Sequence, residues 1–213
     1  MIYAQNRHAD WVGKGATGYA KPLTVAAGGI LIANIWNACS IPAPFPDTVD
    51  ALGLAWQQIA TDQRAPNNPN ESRRLVMYAA LGPGEPAAGG ILVGYHNPMN
   101  SIQVVVDQIA GCPDDLAGAL RNPTGVEEDF FTSYAHATLP DLLAGSASYG
   151  AIGHGKKTAS TAGPGYTPVN TLIGNFHSTI TELRVDGQPL VDCTWIDLAH
   201  CCGLAVELVA AAG

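Results

Sequence analysis

Between residues 23 and 111 short apolar runs rich in Val, Ile and Leu alternate with breaks of Gly, Pro, Asn or Asp. The runs fall at 22–26 (PLTVA), 29–36 (GILIANIW), 54–60 (LAWQQIA), 73–81 (RRLVMYAAL), 90–95 (GILVGY) and 101–111 (SIQVVVDQIAG). Short strands at such spacing, separated by turn residues, predict an all-β sandwich or barrel. Residues 30–36 are apolar at nearly every position, which predicts a central strand covered on both faces. The turn before it, Ala27-Gly28-Gly29, reads as a hairpin-type reversal, because glycine takes positive φ without steric cost. Residues 41–46 (IPAPFP) read as a proline-rich bend that cannot sit within a sheet. Residues 62–72 (DQRAPNNPNES) read as the most exposed loop, and 81–90 as another long connection.

Beyond Pro113 the pattern changes. Residues 113–120 open with acidic side chains, which favour a helix N-terminus, so a short helical turn is expected there. Residues 126–134 (VEEDFFTSY) fit either a short helix or the entry to a strand. Strands are expected at 136–139, 147–154, 178–185 and 203–209, with a long loop over 155–170. Asp186-Gly187 is a hairpin signal. No repeat of 20–50 residues is present, which argues against a solenoid or propeller. Residues 1–21, Gly-rich and mixed in polarity, read as an N-terminal arm: a docking strand for a neighbour, or a first edge strand. Residues 22–213 then form a single antiparallel β-sandwich, jelly-roll-like or Ig-like, with one or two short helices.

The chain of 213 residues is long enough to bury a core without disulfide staples. Only 13% of residues are charged, against about 25% in ordinary globular domains. A weakly charged surface suits a protein that sits against neighbours. The formal net charge is −8 and the lysines are Lys14, Lys21, Lys156 and Lys157. Phosphate binding needs a basic stripe, so nucleic acid is not an expected partner. Arg73-Arg74 and Lys156-Lys157 read as solvated strand or loop ends. No signal peptide is visible, and no apolar run reaches the roughly 18 residues of a membrane span. Synthesis in a reducing cytoplasm is expected.

No reactive constellation accompanies the strands. Cys39, Cys112, Cys193, Cys201 and Cys202 are irregularly spaced and read as buried thiols. Adjacent Cys201 and Cys202 would point to opposite faces of a strand, a poor arrangement for zinc with Cys193 and His200. None of His8, His96, His136, His154, His177 and His200 has a paired-ligand spacing; His96 and His154 read as exposed strand ends. Gly145-Ser146-Ala147-Ser148-Tyr149-Gly150 does not match the G-x-S-x-G of a serine hydrolase. Glu127-Glu128-Asp129 reads as a solvated acidic run. Residues 82–90 lack the ending of a phosphate loop, and Asp114-Asp115 is too short for a calcium loop. Asn70-Glu71-Ser72 is an accidental glycosylation acceptor. No catalytic, cofactor-binding or metal-ligating residue is therefore assigned. Trp36 and Trp56 fall in apolar runs and are expected in the core. Trp11 and Tyr166, in Gly-rich segments, are the candidate exposed contact residues.

The Gly-Gly turn, the strand GILIANIW, the D-x-x-G-x-x-W-like element Asp50–Trp56, and the strands RRLVMYAAL, SIQVVVDQIAG and GLAVELV together resemble a class of β-sandwich proteins. That class occurs in the genomes of tailed bacteriophages and prophages. The resemblance covers residues 23–111 and the last strand, and the chain departs from it at 41–46 and 155–170. It implies a virion-associated structural role, as a minor tail protein or head-surface decoration, with no catalytic residues. The expected partners are other virion proteins and further copies of the chain, made in the host cytoplasm and located in the virion. The alternatives are a carbohydrate-binding sandwich for host attachment, recognising a surface glycan, and a hydrolase on a sandwich fold.

Overall fold

A computed structural model of the chain describes residues 1–39, 43–64, 72–127, 131–175 and 177–212. The first half contains β1 (Tyr3–Val12), β2 (Ala16–Val25), β3 (Ile30–Cys39), β4 (Thr48–Ala51), β5 (Gln57–Arg64), β6 (Ser72–Leu81), β7 (Ala87–Met99) and β8 (Ser101–Ala110). The second contains α1 (Leu116–Ala119), β9 (Leu120–Gly125), β10 (Thr132–Thr138), β11 (Ala147–His154), β12 (Ser160–Ala162), β13 (Thr167–Ile173), β14 (Ser178–Arg184), β15 (Leu190–Ala199) and β16 (Cys201–Leu208).

The two halves are wound identically. The first forms a five-stranded sheet, β1-β8-β3-β6-β5, and a three-stranded sheet, β2-β7-β4. Adding eight to each strand number gives the sheets of the second half, β9-β16-β11-β14-β13 and β10-β15-β12. In each half the first strand pairs with the eighth, the second with the seventh and the third with the sixth. This is the rolled-up ribbon of a jelly roll. The chain is thus an all-β protein of two tandem jelly rolls, where one sandwich was expected.

Three cores order the sheets into four layers. One joins β2, β4 and β7 to the inner face of β3 and β8, through Tyr19, Leu23, Ile91 and Val104. Another lies between the two five-stranded sheets, where Ile32, Trp36 and Met77 meet Tyr149, Leu204 and Val206. The third joins β11, β14 and β16 to β10 and β15, through Ile152, Ile180, Val191 and Trp195. β3 explains why both faces had to be apolar. Ile30, Ile32 and Trp36 enter the junction between the halves, while Leu31, Ala33 and Ile35 enter the core of its own sandwich. Each such side chain contributes about 1.5–3 kcal/mol by leaving water.

The rolled ribbon corrects several local expectations. Ala27-Gly28-Gly29 is no hairpin; it carries the chain from the outer sheet (β2) to the inner one (β3). Gly29 has φ 70, and a Cβ there would lie 2.5 Å from the Ile109 carbonyl oxygen, so only glycine fits. Asp186-Gly187 likewise connects sheets, β14 to β15. Residues 1–21 are not an arm. They form β1, paired along β8, and much of β2, paired along β7. Their mixed polarity is that of edge strands with one face covered. Residues 155–170 hold β12 and the start of β13, edge strands whose half-exposed positions leave little apolar signal. The expected helical turn is α1, with Asp115 accepting from the Gly118 amide at 2.6 Å.

Parts of other expectations lie outside the described residues: 41–42 of the proline bend, 65–71 of the polar loop with Asn70 and Glu71, and 128–130 of the acidic run. Within the polar loop, Asp62–Arg64 belong to β5, and Asp62 is buried. Residues 43–46 lie outside any strand.

Candidate interaction faces and the polar junction

Trp11 and Tyr166 do not form a surface together. Trp11 is the penultimate residue of β1 and is half-buried. Tyr166 is only 8% exposed, and its hydroxyl meets the Ser148 Oγ, which also donates to the Gln188 carbonyl. The turn that brings it inward contains Gly165 at φ 80. The Gly-rich surroundings mark that tight turn, not an exposed ring.

All five cysteines are buried. Cys202 enters the junction and Cys201 the second sandwich, on opposite faces of β16 as expected. Burial pushes the Cys112 thiol up to about 11 and Cys202 well above its ordinary value. Among the described residues no group of three His, Cys, Asp or Glu could hold a metal ion. No helix among them is long and apolar enough to cross a membrane.

The densest polar chemistry lies in the junction between the sandwiches, at residues not among the candidates read from the sequence. Asp107 on β8 is fully buried. Tyr149 Oη, from β11 of the other half, donates to Asp107 Oδ2 at 2.7 Å, and Asn34 Nδ2 donates to Tyr149 Oη at 2.6 Å. Asn170 Nδ2 donates to the other carboxylate oxygen. Desolvation pushes Asp107 up to about 6 despite these donors and the nearby Arg7 cation. Further links ring the junction. Gln103 Nε2 donates to the His177 carbonyl at 2.8 Å and its Oε1 accepts from Thr179. The Gly203 amide donates to Asp62 Oδ2 at 2.9 Å, and Arg64 donates to the Val126 carbonyl. Arg73 and Arg74, expected as solvated ends, are instead packed against the protein. Arg73 is buried; Arg74 donates to the Ala43 carbonyl at 2.7 Å and lies 3.9 Å over the Phe45 ring.

Two buried histidines lie on either side of the β11 sheet, His177 in the junction and His154 in the core of the second sandwich. His154, expected as an exposed strand end, is fully buried and stacks on Trp195 at 4.5 Å. His177 packs against Trp36 of the first half at 4.2 Å. Burial lowers them to about 4 and about 3, with the Arg73 charge adding to the effect on His177. His154 Nε2 and Ser160 Oγ are 3.0 Å apart. A serine–histidine pair becomes nucleophilic when a third group orients the base; His154 Nδ1 has no such partner, and its lowered basicity suits it poorly to take a proton at neutral pH. In the second core, burial raises Glu182 to about 8.

The outer faces expose apolar side chains beside a few charged ones. On the β10-β15-β12 sheet, Tyr134, Leu190, Ile196 and Leu198 are exposed. A groove of about 480 Å³ runs beside Tyr134, His136, Thr138, Asp192 and Thr194. Tyr134 and His136 stack at 6.2 Å, and Glu127 pairs with His136 at 3.3 Å. On the β2-β7-β4 sheet, Ala20, Pro22, Gly89, Gly90 and Leu92 floor a groove of about 530 Å³ with Lys21 and Asp50 at its sides. No family model, no curated protein and no solved structure matches this chain.

Proposed function

We propose that the chain is a structural component of a tailed-phage virion, a minor tail protein or head-surface protein that works through protein–protein interfaces. The carrying observation is the tandem jelly roll sealed over a shared core, a winding used by capsid and lectin domains. Two buried acids, Asp107 and Asp62, are engaged between the halves. Its outer sheets expose apolar side chains with few charges, as suits a block that packs between neighbours. Synthesis in the host cytoplasm and location in the virion belong to the same reading.

The test is mass spectrometry of purified particles with copy-number quantification. The expected result is a fixed copy number per particle that survives high-salt washing. Abundance in the lysate with absence from washed particles would overturn the reading.

A second reading, attachment to a surface glycan, is favoured by the groove beside Tyr134, where an aromatic face adjoins Asp192 and two threonines. Binding on a glycan array that is abolished by Tyr134→Ala would establish it in place of a purely structural role.

A further inference from the structure

We propose that the groove on the outer face of the β10-β15-β12 sheet receives a glycan that carries no acidic group, with Tyr134 as its platform and Asp192 as the acceptor that fixes its hydroxyls. This rests on the glycan-attachment reading and adds to it the class of sugar and the residue that selects it.

The register of the sheet builds the site. Tyr134 pairs with Thr194, His136 with Asp192 and Thr138 with Leu190. The residues that alternate with them, such as Ala137 and Val191, enter the core beneath. Two columns of three side chains therefore share the outward face, and the groove of about 480 Å³ runs along them. That volume lies in the range of small-ligand sites.

Tyr134 supplies the apolar surface. It is 52% exposed, and its ring lies nearly parallel to that of His136, at 14° and 6.2 Å. An exposed tyrosine offers a flat apolar body with a hydroxyl at its tip, a surface on which the C–H face of a pyranose ring can lie.

Asp192 is the second, independent observation. Its side chain is half-buried, yet no hydrogen-bond donor among the described residues reaches its carboxylate. Arg184 and His136 act on it only through their charge. Arg184 is itself committed to Asp186, at 2.6 and 2.8 Å, and to the Pro164 carbonyl. Gly163, which follows β12, leaves room for the carboxylate: a Cβ there would lie 1.8 Å from Asp192 Oδ1. A half-buried acceptor with no partner of its own is a place for donors that a ligand brings, and hydrogen bonds to a carboxylate are the strong ones.

Charge then selects the ligand. Among the described residues no lysine or arginine lines the groove, and the net charge of the chain is −8. A sialic, uronic or sulfated sugar would set its anion against Asp192. A simple cation would find one carboxylate only, because Glu127 is paired with His136 at 3.3 Å. Thr138 and Thr194 add hydroxyls that both donate and accept, which suits the several hydroxyls of a sugar better than a lone ammonium group.

The experiment puts the full chain on an array of neutral, sialylated and sulfated glycans. The best neutral oligosaccharide then goes into calorimetric titrations at low and high salt. Neutral glycans are expected to bind and acidic ones to fail, with an affinity indifferent to salt. Tyr134→Ala and Asp192→Asn should each weaken binding at least about tenfold, while Tyr134→Phe keeps the platform and the affinity. Far-UV circular dichroism confirms that each variant keeps its fold. Binding to no glycan at all removes the attachment reading, and this proposal with it. A preference for acidic glycans, or neutral binding that either Tyr134→Ala or Asp192→Asn leaves unchanged, lets the attachment reading stand and overturns this proposal.

Discussion

The hydroxyl of Tyr149 donates to the carboxylate of Asp107 at 2.7 Å, tying β11 of the second sandwich to β8 of the first. The pair lies in a core otherwise made of Ile32, Trp36, Leu204 and their neighbours. A buried carboxylate of the first half can be tolerated there only because donors from the second half, Tyr149 and Asn170, converge on it. Its position therefore fixes how the two sheets lie against each other.

Asp107 makes this junction sensitive to pH. Its folded value is raised from 3.8 to about 6, so its contribution is largest below 3.8 and is lost as pH rises through 6. Glu182, raised from 4.5 to about 8, acts in the same direction, its contribution lost as pH rises through 8. Asp107→Asn and Glu182→Gln cannot gain stability by taking up a proton. Relative to wild type, each should fall behind as pH drops from 7 to 5, by about 1 and about 3 kcal/mol respectively, because each tenfold change in proton affinity is worth roughly 1.4 kcal/mol. Urea midpoints at pH 7, 6 and 5 measure this. A constant difference from wild type across the range would show that the carboxyl group does not titrate between the folded and unfolded states.

His154 and His177 oppose the carboxyl groups. Their folded values are lowered from 6.5 to about 4 and about 3. Their contribution is present above 6.5 and is lost as pH falls, by about 2 kcal/mol for each histidine at pH 5. The four groups nearly cancel between pH 7 and 5, so the wild-type stability profile should be close to flat there. His154→Gln and His177→Gln should instead become more stable, relative to wild type, as pH falls over this range. Two-dimensional NMR of the ring protons gives the independent check: neither ring should titrate near pH 6.5 in the folded chain.

Trp36 seats over Gly153 of the facing sandwich. A Cβ at position 153 would lie 2.6 Å from Trp36 Cδ1, and Trp36 is fully buried. Gly153→Ala should therefore overpack the junction and cost about 1–3 kcal/mol. Trp36→Ala removes the whole indole, the group a Cβ at 153 would strike, so the double variant should be less destabilised than the sum of the singles. Thermal melts of the four chains in a double-mutant cycle measure the coupling; simple additivity would place the indole away from Gly153.

The strands most legible in the sequence are those covered on both faces. β3, β6 and β8 are mainly apolar without period-2 alternation, because neither face of the pleat meets water. β12 and β13 were hidden because edge strands in half-exposed positions read like loops. The duplication was hidden for another reason: β3 (ILIANIWNAC) and β11 (ASYGAIGH) occupy equivalent places but share little sequence. What repeats is the pairing, such as Ile30 with Ile109, and long-range pairing leaves no local trace. Asp107 did leave one. An acid inside the run VVVDQIA, in a strand with both faces covered, must find donors. Tyr166 misled because glycines beside it mark a tight turn as readily as an exposed loop.

The shared core predicts that neither sandwich is a free-standing unit. Cutting the chain after Cys112 separates β1–β8 from α1 and β9–β16. Each piece keeps its own inner core but bares the face that held the other. Ile32, Trp36, Leu75 and Met77 would meet water on one piece, and Tyr149, Leu204, Val206 and Leu208 on the other. At about 1.5–3 kcal/mol for each such side chain, the loss approaches the whole stability of a small domain. Asp107 would also lose its Tyr149 and Asn170 donors. Residues 1–112 and 113–213 produced separately should therefore be insoluble or bind a hydrophobic dye strongly. Produced together, they should co-purify as a one-to-one complex with the circular dichroism spectrum of the intact chain. Two soluble, cooperatively melting fragments with no affinity for each other would show that the halves are independent domains.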